Sequence, residues 1–291
     1  MNLHFLVPGF SKCGTTTLCS LLGEHPDIFI PAAKEPCFFA YNYELGWHWY
    51  ERSFATARDD HRCGEGSTFY STEEYADLVC ERALDRFPDL QLIFIARHPI
   101  ARLESSFREM HHSGYKYGVE ADYAIGEALR SLPNMAADTM YWARLSTFRR
   151  HVPDERIHAL FLEDLKKDPA TEVERCFRFL GVDSTVRVGG DFRRLNPASA
   201  KLYDAPWFRS LQRHRWAGPL WRRSPAPLQA AATRWLRARR PFRGPIQWEP
   251  RDKQQLVEAV REDSRAFLRW ADKPSDYWRF DDAPQRIADA A

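Results

Sequence analysis

The sequence has no long apolar run, no closely paired cysteines and almost no net charge, and each absence excludes a class of protein. No stretch approaches the roughly 18 consecutive apolar residues of a membrane-spanning helix. None of the six cysteines lies in a C-x-x-C pair, so their spacing predicts no metal site. Because the net charge is only +2, attraction to anionic ligands must come from local clusters of basic residues.

The N-terminal residues lack the marks of a secretory signal. Residues 1–7 have no basic start and only a short apolar stretch, and a glycine-containing turn follows at once. A signal peptide needs a charged start and a longer apolar segment. We therefore expect a cytoplasmic protein whose cysteines stay reduced.

The pattern of apolar residues predicts an α/β fold. The composition, with 44% hydrophobic and 28% charged residues, is usual for a globular protein, and there is no internal repeat. Near-continuous apolar strands separated by helices indicate a central parallel sheet flanked by helices, with a ligand crevice at the carboxyl ends of the strands. Strands are predicted at 3–7, 90–96 and 157–161, and helices at 16–23 and 171–180.

A glycine-containing turn at residues 9–17 (GFSKCGTTT) joins the first predicted strand to the first predicted helix. Glycines let consecutive N–H groups point at one anion, and the helix N-terminus adds partial positive charge. Lys12 supplies a full charge within the turn. This pattern predicts a phosphate site, although a surface turn with a capping threonine also fits it. A kinase or NTPase is disfavoured, because Gly14 is followed by Thr15 rather than by Lys and Ser or Thr.

A second group that can bind an anion follows the strongest predicted strand, in residues 97–107 (RHPIARLESSF). Pro99 favours a turn or helix start, which puts Arg97 at the carboxyl end of the strand. Ser105 then lies about two turns into the next helix. Arg97 and Ser105 together can hold a phosphate dianion, whereas each alone fits a salt bridge or an exposed helix residue. Arg102 is predicted to be structural.

Glu35 is a candidate general base. It lies just beyond the first predicted helix, and Phe38 and Phe39 follow it closely. A carboxylate partly removed from water by aromatic neighbours is a stronger base, as is needed when an attacking hydroxyl loses its proton. An exposed loop glutamate paired with Lys34 is the alternative.

Taken in order, these segments resemble sulfotransferases that use 3′-phosphoadenosine 5′-phosphosulfate (PAPS). Residues 11–18 are similar to the family's 5′-phosphosulfate loop, and residues 97–107 match its 3′-phosphate motif, R-x-P-x-x-R-x-x-S-x-(Y/F). The resemblance implies a P-loop-like sulfotransferase fold, PAPS as co-substrate, adenosine 3′,5′-bisphosphate as product and no metal. The PAPS ligands that it implies are Ser11, Lys12, Cys13, Gly14, Thr15, Thr16, Thr17, Arg97 and Ser105.

The pattern E-x-x-F-F at Glu35 resembles the glycan-type and Golgi-type members of that family. The resemblance implies that Glu35 is the general base and that Lys12 stabilises the negative charge on the leaving oxygen. The acceptor is then a hydroxyl of a carbohydrate, a glycolipid or a glycosylated small molecule. The cytosolic small-molecule class uses a histidine instead, for which His111 and His112 are the nearest candidates, although we expect both at the surface.

Three later segments also resemble the family. Residues 64–70 (GEGSTFY) are similar to G-E-K-(S/T)-P-x-Y, which lines the acceptor cleft, but Gly66 replaces the usual lysine. Lys34 or an arginine is a possible substitute for that charge. Residues 161–181 match a structural run, and residues 193–201 lie where the family has a basic loop over the 3′-phosphate, with Lys201 as the candidate ligand.

Residues 205–248 differ in composition from the rest of the chain. They contain ten arginines, five of the ten tryptophans and no acidic residue. We interpret them as a lid or flap outside the sheet, within a single domain over residues 1–291. Three roles fit: covering the acceptor, peripheral contact with an anionic membrane, or a solvated helix with tryptophans packed inward. No nucleic-acid recognition module is visible.

Two other functions remain open at this stage. A P-loop-like small-molecule kinase would consume ATP with Mg²⁺. A non-catalytic nucleotide-binding or membrane-associated adaptor would bind PAPS without transferring sulfate. The oligomeric state cannot be predicted from the sequence.

Overall fold

A computed structural model describes residues 2–32, 35–113, 121–189, 202–242 and 245–280. The helices, in chain order, are α1 (Thr15–Leu22), α2 (Gly46–Glu51), α3 (Ala76–Arg86), α4 (Pro99–Ser113), α5 (Ile125–Ser131), α6 (Asn134–Ala137), α7 (Tyr141–Arg149), α8 (Leu162–Lys167), α9 (Pro169–Leu180), α10 (Pro206–Arg213), α11 (Ala217–Arg223), α12 (Ala226–Trp235) and α13 (Pro250–Trp270). The chain forms two compact units. The first comprises the described residues within 1–103, 134–195 and 251–291, and the second comprises those within 104–133 and 196–250.

The first unit is built on a parallel sheet with the strand order β2-β3-β1-β4-β5. Its central strands are apolar and buried on both faces, as expected where helices cover a parallel sheet. The predicted α/β fold is therefore confirmed. The strands are β1 (Phe5–Gly9), β2 (Ile28–Phe29), β3 (Arg62–Glu65), β4 (Gln91–Ala96) and β5 (Ile157–Phe161).

The three predicted strands are present, with differences at their ends. The prediction of 157–161 agrees with β5. β1 begins two residues later than predicted and continues to Gly9, where it pairs with Phe94 of β4. Because of this extension, the glycine-containing turn at residues 9–17 starts directly at the carboxyl end of the strand.

The residues at the two ends of helix α9 explain where it begins and ends. Asp168 accepts a hydrogen bond from the Thr171 amide at 3.1 Å, and Pro169 occupies the first helical position. These two residues start the helix two positions before the predicted start. Gly181 ends it with a φ of 72°, a conformation that favours glycine.

The second unit contains residues 104–113 of α4 and the helices α5, α10, α11 and α12. It also contains the antiparallel pair β6 (Leu202–Asp204) and β7 (Arg239–Pro241). Ala205, Phe208 and Ala238 form a small buried cluster in this unit. The described residues between 205 and 248 therefore lie outside the five-stranded sheet. In the described part of the chain, no helix is both long and apolar enough to span a bilayer.

Candidate functional site

The turn after β1 carries two residues in the left-handed region. Lys12 has a φ of 66° and Gly14 a φ of 100°. Left-handed residues that alternate with ordinary ones direct successive N–H groups toward one side, which is how backbone nests bind anions. Gly14 precedes α1 and has no side chain to cap it, so the helix N-terminus lacks the acceptor that usually covers its amides. The turn therefore has a backbone conformation of the kind found in such nests.

The hydroxyl-bearing residues of this turn differ in exposure. Ser11, Lys12 and Thr16 are partly exposed, whereas Thr15 and Thr17 are buried. A ligand above the turn therefore meets Ser11, Lys12 and Thr16 first.

Cys13 points into the protein. Its thiol is fully buried with Sγ 3.3 Å from the Tyr141 hydroxyl, and its amide donates to the Phe10 carbonyl at 3.2 Å. Burial raises the pKa of the thiol to about 11, although the Tyr141 hydrogen bond and the charges of Arg102 and Arg97 act in the opposite direction. Cys13 thus stays a neutral thiol that supports the turn from inside.

Tyr141 connects the turn to Arg97. Its hydroxyl donates to the Arg97 carbonyl at 2.8 Å while it contacts Cys13, and the Phe10 amide donates to the Ile95 carbonyl at 2.9 Å. The residues after β1 and those after β4 are therefore fixed to each other at the carboxyl edge of the sheet. Sequence reasoning missed Tyr141, because no family pattern or spacing marked it.

Glu163 fixes the backbone just beyond Arg97. One of its carboxylate oxygens accepts from the His98 amide at 2.8 Å. Burial raises the pKa of Glu163, and the positive charge of Arg97 is among the effects that lower it. Ser105 is partly exposed on the portion of α4 that belongs to the second unit.

Arg102 is a buried structural residue, in agreement with the prediction. Its side chain is 1% exposed, and it donates to the Ser11 carbonyl at 3.1 Å. It also donates to the Met135 carbonyl at 2.6 Å and pairs with Asp138 at 3.4 Å. Arg102 therefore holds the turn at Ser11 in place.

The segment that carries Glu35 is held by its own backbone amides. Glu35 has a φ of 57° and Cys37 a φ of 48°, which residues other than glycine rarely adopt and which cost about 1 kcal/mol or more each. The Cys37 amide donates to the Ser67 hydroxyl at 3.0 Å, and the Phe39 amide donates to the Tyr70 hydroxyl at 3.3 Å. Two hydroxyls thus position the segment, and Glu35 itself remains partly exposed.

Glu65 organises those two hydroxyls and was missed by the sequence analysis. This carboxylate is 1% exposed and accepts from Ser67 at 2.7 Å, Tyr70 at 2.5 Å and Tyr50 at 3.4 Å. Burial raises its pKa to about 7, the three hydroxyl hydrogen bonds lower it, and the charge of Glu35 raises it. The glutamate in G-E-G-S-T-F-Y, followed by Ser and Tyr, was the available signal.

Gly66, where the family usually has lysine, lies against helix α1. A Cβ atom at this position would be 2.6 Å from the Cys19 sulfur. No side chain fits there unless Cys19 moves. The proposed substitute Lys34 and the predicted ligand Lys201 lie outside the described residues.

The expectation that His111 is a surface residue was wrong. Its ring is buried, Nε2 donates to the Asp122 carbonyl at 3.0 Å, and Nδ1 accepts from Arg209 at 3.0 Å. Burial, with the Arg209 charge, lowers the pKa of His111 to about 4. His112 is partly exposed, and its Nδ1 accepts from the Leu202 amide at 3.2 Å. Both nitrogens of His111 are therefore engaged, which leaves it poorly suited to accept a proton.

The sequence and the fold match a known family. The sequence model of the sulfotransferase domain matches residues 3–195. The chain belongs to the sulfotransferase family.

The matched relatives share about a quarter of their residues with this chain. Mouse heparan sulfate glucosamine 3-O-sulfotransferase 6 is 28% identical over 193 residues, which cover 62% of this chain and 53% of that protein. The human bifunctional heparan sulfate N-deacetylase/N-sulfotransferase 2 is 24% identical over 196 residues, or 61% of this chain and 22% of that protein. The chain thus spans about half, or less, of the length of these relatives.

Solved structures share the fold. A sulfotransferase from Alicyclobacillus acidocaldarius matches with a TM-score of 0.67 at 19% identity, over 96% of this chain and 99% of that one. A mouse sulfotransferase complexed with PAP matches with a TM-score of 0.51 at 16% identity, over 91% and 84% of the two chains. The sulfotransferase fold predicted from the sequence is confirmed.

Proposed function

We propose that this protein transfers a sulfuryl group from PAPS to an acceptor hydroxyl. The observation that carries the proposal is the link between two basic groups, since Tyr141 fixes the Lys12 turn and the Arg97 backbone at neighbouring strand ends. Such an arrangement suits a nucleotide with phosphates at both ends. Lys12 and the α1 N-terminus bind the 5′-phosphosulfate, and Arg97 with Ser105 binds the 3′-phosphate.

Each side chain then has a defined chemical task. The acceptor oxygen attacks sulfur, and the bond from sulfur to the 5′-phosphate oxygen breaks. Glu35 takes the acceptor proton, and the Lys12 ammonium stabilises the negative charge that develops on the leaving oxygen. Adenosine 3′,5′-bisphosphate leaves, and the sulfated acceptor is the second product.

Two features support Glu35 over His111 as the base. Glu35 is partly exposed on a segment held by Ser67 and Tyr70, whereas both ring nitrogens of His111 already have partners. A hydroxyl of a carbohydrate, glycolipid or glycosylated small molecule is the acceptor that we propose. The heparan sulfate relatives include both O- and N-sulfotransferases, so a matched amine acceptor belongs in the same screen.

Nucleotide binding separates this function from a kinase. We expect adenosine 3′,5′-bisphosphate, at about 100 times its Kd, to raise the melting temperature by roughly 5 °C or more, and ATP with Mg²⁺ to raise it little. Thermal unfolding followed by fluorescence measures both. A larger stabilisation by ATP with Mg²⁺ would support the kinase instead. Transfer of labelled sulfate from PAPS to hydroxyl and amine acceptors then distinguishes a transferase from a nucleotide-binding adaptor.

Glu65 is proposed to position the Glu35 segment, and its ionisation gives a test of that role. The pKa of Glu65 rises on folding from 4.5 to about 7, so the folded state holds its proton more tightly. The free energy of unfolding therefore falls as pH rises between these values, by at most about 1.4 kcal/mol per pH unit from this group. We expect Glu65→Gln to remove that slope in urea unfolding measured from pH 5 to 7.5.

The control for this prediction is Glu44→Gln, which changes an exposed glutamate. It should leave the pH slope of unfolding unchanged. Glu65→Gln should also lower kcat more than it raises KM for PAPS, because it displaces Glu35 rather than the nucleotide site. Parallel stability curves for wild type and Glu65→Gln would contradict the role assigned to the Glu65 carboxylate.

A further inference from the structure

Large apolar side chains are exposed mainly on three helices of the second unit. Of the eleven that are exposed in the described part of the chain, seven lie between residues 207 and 236. Each helix exposes a pair of residues four or seven positions apart, and such residues share one helix face. The pairs are Trp207 and Leu211 on α10, Trp216 and Leu220 at the start and middle of α11, and Leu228 and Trp235 on α12.

Other side chains join the three helices. Phe208 of α10 packs edge-on against Trp221 of α11 with ring centroids 5.2 Å apart. The Gln229 side chain of α12 donates to the Trp221 carbonyl at 2.8 Å, which joins the third helix. By contrast, Trp216 is 70% exposed and Trp235 is 83% exposed. Inward packing of the tryptophans, one of the roles considered from the sequence, therefore fails for these two.

Within residues 205–248, the charged side chains have one sign. Residues 205–248 contain ten arginines and no aspartate or glutamate, and Arg215, Arg223 and Arg234 are exposed on or beside the same helices. The Arg215 guanidinium lies 4.7 Å from the centre of the Trp216 ring. Two copies of such a surface would repel each other, which argues against a symmetric dimer through this face. The complementary partner is an extended negative surface that also accepts apolar side chains.

We propose that α10, α11 and α12 bind the surface of an anionic lipid bilayer. Exposed tryptophan and leucine side chains enter the boundary between headgroups and acyl chains, and the arginines contact lipid phosphates. Tryptophan prefers that boundary because its ring is apolar and its N–H is polar, and arginine can extend its charged end toward the headgroups. This proposal is independent of the transfer reaction, since it concerns neither PAPS nor an acceptor.

Vesicle binding by the full chain tests the proposal. We expect cosedimentation with vesicles of phosphatidylcholine and phosphatidylglycerol in a 7:3 ratio, and at least tenfold weaker partitioning onto phosphatidylcholine alone. Each of Arg223→Gln and Arg234→Gln should weaken partitioning about fivefold, which corresponds to about 1 kcal/mol per arginine. The double variant Trp216→Ser with Trp235→Ser should weaken it at least tenfold at equal salt.

Matched variants test whether vesicle binding depends on this surface or on exposed apolar and basic residues anywhere in the protein. Leu220→Ser, within the surface, should weaken partitioning, whereas Leu45→Ser, an exposed leucine of the first unit, should not. Arg52→Gln, also exposed in the first unit, serves the same purpose for charge. Equal binding to both vesicle types, no binding to either, or retention on a soluble polyanion without vesicle binding would overturn the proposal. So would a stable dimer that the tryptophan variant dissociates without changing vesicle partitioning.

Discussion

Replacing Lys12 by alanine is expected to lower kcat for sulfate transfer by at least about 100-fold. The ammonium of Lys12 is the charge proposed to neutralise the leaving oxygen, where charge develops in the transition state. Alanine keeps the Cβ atom, so the left-handed backbone at position 12 carries the same conformational cost in both proteins. The loss can then be assigned to the ammonium. Steady-state rates with labelled PAPS and an acceptor from the screen measure it.

Two comparisons make the Lys12 result specific. Lys167→Ala removes an exposed lysine at the end of α8 and should leave the rate unchanged. Lys12→Ala should also weaken binding of adenosine 3′,5′-bisphosphate by roughly tenfold, since this product keeps the 5′-phosphate that Lys12 contacts. A rate within threefold of wild type would remove Lys12 from the mechanism.

Glu35→Gln should lower kcat by two orders of magnitude or more and leave nucleotide binding intact. Glutamine has nearly the same size and can keep the neighbouring backbone in place, but it cannot accept the acceptor proton. The melting-temperature shift with adenosine 3′,5′-bisphosphate should therefore match that of wild type. Kinetics and thermal shift on one preparation measure both quantities.

Glu44→Gln is the matched control for Glu35→Gln, because it makes the same chemical change at an exposed position nine residues away. It should keep full activity. If Glu35→Gln retained near-wild-type turnover, another group would have to accept the proton. If it lost the nucleotide-induced shift as well, Glu35 would act through the structure of the site instead.

The parallel sheet could be predicted because its strands are continuous apolar runs with separate flanking helices. The placement at strand ends of Lys12 and Arg97, which we propose to bind phosphates, could be predicted for a related reason. The chemistry of phosphate binding restricts which residues can follow a strand, and Lys12 and Arg97 both follow one. Local sequence carries this information without reference to distant contacts.

What the sequence did not reveal depends on contacts between distant residues. Tyr141 reaches Cys13 across 128 positions of sequence, and Glu65 meets Tyr50 across fifteen. His111 is hydrogen-bonded to Arg209, which lies 98 positions away in the sequence. Such partners are set by tertiary packing, so spacing rules that work within one element cannot find them.

The contact between Gly66 and Cys19 limits how this site can change by substitution. Because the sulfur occupies the volume that a side chain at position 66 would need, a lysine there requires Cys19 to move or to be replaced by a smaller residue. Alanine at position 19 would open that volume. The two positions are therefore linked through shared space, and a side chain at position 66 is accommodated more easily when position 19 is smaller.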